Sequence, residues 1–163
     1  LRNAFMIEKA ERYDIKGRKY IGTLPKYYFT DMGLRNVILG LRQLEENHIM
    51  ENIIYNELRA RGNKVDIGII KQRFVDDNNK WQRKPLEVDF VVNQGSKRYY
   101  IQSAFAMPDE EKIKQEKASL LRINDSFKKI IIVKDDIMPY HDENGIATIG
   151  LFDFLLKRDS LDL

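Results

Sequence analysis

Cysteine is absent from the sequence, which excludes a disulfide framework and any metal site with thiolate ligands. Long apolar runs are also absent, since none approaches the roughly 20 residues that a membrane-spanning helix requires. No signal-peptide pattern is present, and no Gly-x4-Gly-Lys-Ser/Thr phosphate-binding loop that would support ATP hydrolysis. The first methionine is Met6. We therefore expect a fragment of a longer cytoplasmic protein with no membrane partner.

Basic side chains are concentrated in the first half of the sequence. Residues 59–84 carry eight basic and three acidic side chains, a balance that suits phosphate groups, although a solvated Lys/Arg surface is the alternative. Trp81 lies among these cations, as in nucleic-acid grooves, but partial packing at a strand start is the commoner outcome for such a residue. The candidate DNA-contacting residues are Arg59, Arg61, Lys71, Arg83 and Lys84.

Residues 86–104 predict a β-hairpin with a turn at Asn93-Gln94-Gly95. In its first strand, the apolar residues at 88, 90 and 92 alternate with Glu87, Asp89 and Val91, and this alternation predicts a half-buried strand. Asp89 is an acid within this apolar run, so it must be paired, hydrogen-bonded or metal-bound. We expect Gln102 to face it across the hairpin.

The other elements follow from local patterns of apolar and turn residues. Glu57 lies within the apolar stripe of a long helix, where it either pairs with an arginine or points into a site. The tail over residues 157–163 is expected to fray. The predicted elements are a hairpin at 4–21, a break at 23–25, a strand at 26–29, a helix from Asp31 to Gly40, a helix at 43–61, a strand at 64–74, a helix at 109–123, strands at 129–133 and 146–149, and a helix at 151–156.

From residue 43 the predicted order is one helix, three strands, a second helix and a further strand. Short connections make the first three strands antiparallel neighbours, and the second helix crosses over to a strand with two buried faces. The sequence therefore predicts an α/β fold in which a mixed sheet is flanked by helices, in αβββαβ order.

This order resembles the core of the PD-(D/E)XK nuclease superfamily, also called restriction-endonuclease-like. The resemblance implies a metal-binding acid on the first helix, a second acid in the second strand, and a Glu/Gln-x-Lys motif in the third. Glu51, Asp89 and Gln102 stand at the first three of these positions. Ala104 stands at the lysine position, so the resemblance implies a degenerate catalytic site with weak Mg²⁺ binding at Asp89 and Glu51.

A closer resemblance covers nearly the whole chain. The phrases ERYDIKGRKYIGTLPKYYFTDMGLRNVILG, HIMENIIYNELRARG, EVDFVV and YIQSAF are similar to the C-terminal region of bacterial and archaeal AAA-type ATPases. In that family, a P-loop domain and a winged helix precede a nuclease-like domain of unknown function. The resemblance implies that residues 1–25 are the remnant of a winged-helix wing and that residues 26–163 are the nuclease-like domain. It also implies the family's ATPase and winged-helix domains as partners.

Three functions remain open at this point. The working prediction is a non-catalytic nuclease-fold module that binds DNA or a protein partner. The second is an active metal-dependent endonuclease whose lysine has migrated to another position, for which the candidates are Lys64, Lys71, Lys97 and Arg98. The third is a structural or oligomerisation domain without a nucleic-acid role.

Overall fold

The computed structural model describes residues 5–41, 45–76 and 79–162, which form an α/β fold built on one eight-stranded mixed sheet. The strand order is β2-β1-β3-β4-β5-β6-β8-β7. The strands are β1 (Ile7–Asp14), β2 (Lys19–Phe29), β3 (Lys64–Val75), β4 (Trp81–Gln94), β5 (Lys97–Ala104), β6 (Lys128–Val133), β7 (Tyr140–His141) and β8 (Ile146–Gly150). The helices are α1 (Met32–Ile38), α2 (Glu46–Ala60), α3 (Glu110–Lys117) and α4 (Leu151–Leu156).

Strands β3, β4 and β5 pair antiparallel as their short connections predict, and β6 lies parallel to β5 after the crossover through α3. The crossover helix is shorter than predicted, because α3 ends at Lys117 and a separate 3-10 helix occupies Leu120–Arg122. The turn of the central hairpin also differs by one residue, since Gln94 pairs with Lys97 and leaves Gly95 and Ser96 as the loop.

Two apolar cores cover the two faces of the sheet. On one face, Ile54, Tyr55 and Leu58 of α2 belong to the same core as Phe154 of α4. On the other face, Leu120 and Ile123, which follow α3 in the chain, belong to the second core. The strand β6 contributes to both cores, as the continuous apolar run at 129–133 predicts.

The first hairpin belongs to this same sheet, because β1 lies parallel to β3 with Arg12 opposite Ile67. The predicted break at 23–25 is wrong, since β2 is continuous and passes through the proposed domain boundary at residue 25. Ala10 pairs with Lys26 and Arg12 pairs with Ile21, so two residue steps along β1 face five steps along β2. The extra residues of β2 form a bulge. Pro25 lies in this bulged segment, where its missing N–H removes no ladder hydrogen bond.

A second bulge lies in β4, where three residue steps from Val88 to Val91 face two steps of β3 from Gly68 to Asp66. Strict alternation would place Val88 and Phe90 on one face. Instead, Phe90 belongs to the core beneath α2, whereas Val88 and Val91 belong to the opposite core. Asp89 therefore lies at a bulge, a feature that bends a strand and redirects its side chains.

The outer halves of β3 and β4 form a two-stranded ribbon, here called the arm (residues 71–76 and 79–85). Lys71 pairs with Pro85 and Arg73 pairs with Arg83, and most arm residues are exposed. Trp81 begins β4 with 74% of its surface exposed, so its predicted partial packing is wrong. Between the two strands of the arm, residues 77 and 78 lie outside the described residues.

The end of the described chain packs against the domain. Ser160 and Leu161 are buried, and Ser160 Oγ donates to the carbonyl of Phe154, so the prediction of a frayed tail is wrong. None of the helices within residues 5–41, 45–76 and 79–162 is long and apolar enough to cross a membrane.

Candidate functional site

Three chain elements converge at the ammonium group of Lys26. Its Nζ atom on β2 lies 2.9 Å from Oε1 of Glu51 on α2. The same atom lies 2.6 Å from Oε1 of Glu87 on β4. Burial opposes the charged ammonium, but the attraction of Glu51 and the hydrogen bond to Glu87 outweigh it and raise the pKa of Lys26. Lys26 is therefore charged at neutral pH.

Neighbouring polar groups complete this cluster. Tyr28 OH donates to Oε1 of Glu51 at 2.6 Å. Arg12 Nη1 donates to Oε2 of Glu87 at 2.7 Å. Burial raises the pKa of Tyr28, and the negative charge of Glu51 raises it further, so the phenol stays protonated and acts as a donor. The result is a partly buried network in which Lys26 and Arg12 balance Glu51 and Glu87.

Asp89 lies at the buried end of this network. Its Oδ2 accepts from the backbone N–H of Ser103 at 2.8 Å. Burial, followed by the negative charge of Glu51, raises the pKa of Asp89 to about 8, although Lys26 and the Ser103 N–H act in the opposite direction. The carboxyl group is therefore mostly protonated at neutral pH, which meets the requirement that a buried acid be neutral or paired.

Gln102 lies next to Asp89 as predicted, but its side chain contacts the backbone N–H of Asp89 and not the carboxyl group. Gln102 Oε1 accepts from the Asp89 N–H at 3.4 Å and from Ser119 Oγ at 3.5 Å. Tyr100 and Ala104 belong to the core opposite α2, and side chains alternate along β5, so Gln102 points to that face. Gln102 and Ala104 therefore do not face Glu51, and Ser103 occupies the intervening position on the α2 side.

These residues do not fit a Mg²⁺ site. Oε1 of Glu51 already binds Lys26 and Tyr28, and Glu87 binds Lys26 and Arg12. A protonated Asp89 is a poor ligand for a hard cation, which prefers carboxylate and water oxygens. Within the described ranges, no group of three or more His, Asp or Glu side chains could hold a metal ion. The positive charges of this cluster come from Lys26 and Arg12.

Sequence reasoning missed Lys26, Tyr28 and Glu87. Glu87 precedes Asp89 by two residues on β4. Residues two apart on a regular strand share a face, so this spacing could have indicated that Glu87 lies near Asp89. Lys26 had no comparable signal, because its position depends on the pairing of β2 and β1.

The four candidate replacement cations make other contacts. Lys97 pairs with Asp162 at 2.8 Å. Arg98 donates to Oδ1 of Asn93, and Lys64 lies over the ring of Tyr20. The fourth candidate, Lys71, lines a separate cleft at the base of the arm.

That cleft, here called the basic cleft, has a volume of about 420 Å³. Its walls come from the β1–β2 turn, the arm and the 3-10 helix after α3. The residues that line it are Asp14, Lys16, Lys71, Arg73, Arg83 and Arg122.

The basic cleft contains one acid. Oδ1 of Asp14 accepts from the backbone N–H of Gly17 at 2.8 Å. Within the part of the chain that the structure describes, none of the five cations of the cleft takes part in an ion pair. The cleft is therefore a surface with a concentrated excess of positive charge.

The predicted DNA-contacting residues separate into two groups. Lys71 and Arg83 line the basic cleft, and Lys84 is exposed on the arm opposite Gln72. Arg59 pairs with Glu8 at 2.8 Å. The side chain of Arg61 is 12% exposed and pairs with Glu57 at 2.8 Å. Of the two alternatives for Glu57, the structure therefore shows the pairing with an arginine.

Arg61 makes further contacts that account for its burial. Its guanidinium donates to the carbonyl of Phe154 and, at 3.0 Å, to Oγ of Ser160. Its Cζ atom lies 4.7 Å from the centre of the Phe154 ring. Arg61 therefore joins α2 to the end of the chain and is not available to a ligand.

Comparisons with known proteins give one detailed relationship. An uncharacterized protein of Haemophilus influenzae is 33% identical over 160 residues, which cover 96% of this chain and 35% of that protein. The chain thus spans about a third of the length of this relative. No family model matches the sequence, and no solved structure matches it.

Proposed function

We propose that this chain is a DNA-binding module with a nuclease-like fold and no nuclease activity, within a larger AAA-type ATPase. The observation that carries the proposal is the basic cleft, which is lined by five cations and by one acid, Asp14. Like charges in close proximity cost free energy, and a bound polyanion would relieve that cost.

The arm strengthens this proposal. Arg73 and Arg83 are direct cross-strand partners, an arrangement of like charges that destabilises a sheet unless another charge compensates for it. Residues 71–85 carry five basic and two acidic side chains. An exposed ribbon with this excess of basic side chains is suited to bind the phosphates of a nucleic acid.

The proposed nuclease ancestry rests on the sequence resemblance and on the proximity of Glu51 and Asp89. The proposed loss of catalysis rests on Ala104 at the lysine position and on Lys26, whose ammonium group already binds Glu51 and Glu87. The element order α2-β3-β4-β5-α3-β6 supports this part of the proposal.

The proposed partners follow from the same resemblance. The chain corresponds to 35% of its Haemophilus relative, which leaves room there for the ATPase and winged-helix regions of the resembled family. We propose a cytoplasmic location for the complete protein, in contact with DNA and with its own ATPase region, and self-association as a further property to measure.

The test is DNA binding by fluorescence anisotropy with a labelled oligonucleotide, between about 50 and 200 mM salt. Wild-type affinity should fall steeply with salt, because bound cations displace counterions from phosphates. The double variant Arg73→Gln/Arg83→Gln should bind more weakly and reduce the slope of log affinity against log salt by about 1 to 2.

A charge-matched control is Lys114→Gln/Lys157→Gln, since both lysines are exposed and lie on α3 and just after α4. This control should keep the wild-type affinity and slope. Equal losses in the two double variants, or no binding by the wild type at low salt, would contradict the proposal and favour a structural domain.

A nuclease assay addresses the second candidate function, which the nearby cation Lys26 brings back into consideration. We expect no cleavage of duplex or single-stranded DNA in Mg²⁺ or Mn²⁺. Cleavage that disappears in Asp89→Asn and in Lys26→Met would instead establish an active enzyme in which Lys26 supplies the missing positive charge.

A further inference from the structure

Trp81 is the sole tryptophan of the chain, and 74% of its surface is exposed on the arm. It lines a cavity of about 380 Å³ together with Arg73, Gln82 and Arg83. Two of these neighbours also line the basic cleft. An exposed indole thus lies directly beside two of the cations that line the basic cleft.

The strand pairing places these groups on one face of the arm. Val75 pairs with Trp81, and Arg73 pairs with Arg83. Directly opposed residues share a face, and residues two apart on a strand return to it about 7 Å further along. The face therefore presents an aromatic ring next to a pair of guanidinium groups.

A large exposed aromatic ring costs hydration free energy unless a partner covers it. The bases of a duplex are stacked and present only their edges, whereas the bases of a single strand have free faces. A ring adjacent to cations therefore matches an unpaired nucleotide, with the base on the ring and the phosphate on the guanidinium groups.

We infer that the arm binds single-stranded DNA, with a base stacked on Trp81 and the neighbouring phosphates bound by Arg73 and Arg83. This inference rests on the proposed DNA-binding function and specifies its substrate class. The basic cleft then extends the phosphate path from the arm toward Lys16 and Arg122.

Trp81 provides its own reporter, because all indole fluorescence of the chain comes from this residue. Single-stranded DNA should quench that fluorescence in a saturable way. Duplex DNA should quench it less and bind more weakly at the same salt concentration. An oligonucleotide of equal length with abasic sites keeps the phosphates and removes the bases, so it should bind without the quenching.

The variant Trp81→Ala should lose about 5- to 150-fold in affinity for single-stranded DNA, the range expected for one stacked base. The same variant should bind the abasic oligonucleotide as the wild type does. Trp81→Phe should keep most of the affinity, since a phenyl ring also stacks. The matched control is Phe152→Ala, which removes an exposed aromatic side chain from α4.

The outcomes distinguish this inference from the proposed function. Binding that prefers duplex DNA, or binding to single strands that Trp81→Ala leaves unchanged, would overturn the inference and leave the DNA-binding proposal intact. Absence of binding to every oligonucleotide would overturn both. Preferential single-strand binding with loss of affinity in Trp81→Ala and in Arg73→Gln/Arg83→Gln would support both.

Discussion

Nζ of Lys26 lies 2.9 Å from Oε1 of Glu51, although the two residues are 25 positions apart in the chain. The contact joins the edge strand β2 to helix α2. The same ammonium group also binds Glu87 on β4, so one lysine connects three elements. It balances two acids that lie beside the buried Asp89.

Lys26→Met should lower the free energy of unfolding by about 1–3 kcal/mol, because Glu51 and Glu87 would keep their charges without the shared cation. Urea unfolding measures this change. Lys26→Met/Glu51→Gln should recover part of the loss. The control Lys9→Met removes a more exposed pair with Glu11 and should cost less than about 0.5 kcal/mol. Equal losses at positions 26 and 9 would contradict the network.

Asp89 should make the protein less stable as the pH rises from about 4 to about 8. Its pKa is about 8 in the folded protein and near 3.8 in the unfolded chain. Between these values the unfolded state releases the proton and the folded state keeps it, so the free energy of unfolding falls by up to about 1.4 kcal/mol per pH unit. Below pH 4 both states are protonated, and the penalty is absent.

Asp89→Asn removes this titration and keeps an oxygen acceptor for the Ser103 N–H. Its stability relative to the wild type, from urea unfolding, should increase between about pH 5 and pH 8. Asp142→Asn is the control. Burial opposes the charge of Asp142, but Lys117 and backbone N–H groups outweigh it and lower its pKa, so its stability difference should stay constant over that range. A constant difference for Asp89→Asn would refute the prediction.

Gly68→Ala should destabilise the sheet at the bulge of β4. A Cβ atom at Gly68 would lie 2.8 Å from Cγ2 of Val91 and 2.9 Å from Cβ of Val88. Overpacking of this kind costs about 1–3 kcal/mol, which thermal or urea unfolding would detect. Gly22→Ala, where the added atom meets nothing within 4 Å, should be nearly neutral. A neutral result at Gly68 would mean that the bulge has room to adjust.

Arg61→Met should lower stability by about 2–3 kcal/mol and leave DNA affinity unchanged, since it removes a buried cation and leaves Glu57 and the Phe154 carbonyl without their partner. Hydrogen exchange should increase in the segment around Ser160. DNA anisotropy on the same variant separates the two roles. Weaker DNA binding without a loss of stability would return Arg61 to the set of DNA-contacting residues.

Local patterns in the sequence predicted several elements well. The helix expected at 43–61 is α2 (Glu46–Ala60), and the strand expected at 64–74 is β3 (Lys64–Val75). The helix expected from Asp31 to Gly40 contains α1 (Met32–Ile38), and the Asp31 carboxylate caps it by accepting from the Leu34 N–H. These features depend on neighbours a few residues apart, so a single sequence contains the information for them.

The bulge of β4 was not predictable in this way. Alternation placed Val88 and Phe90 on one face, but the three residue steps that face two on β3 separate them. A bulge depends on the partner strand, and Gly68, whose missing side chain admits Val88 and Val91, was not part of the local pattern.

The sequence by itself determined the α/β class, the positions of the main helices and strands, the hairpin that holds Asp89, and the basic character of residues 59–84. The tertiary structure alone decided that Lys26 is the cation between Glu51 and Glu87, that Gln102 faces away from them, and that Arg61 is structural. Helix and strand periods are encoded over a few residues. The meeting of charges from β2, α2 and β4 depends on strand pairing and bulges between distant segments, which no local pattern specifies.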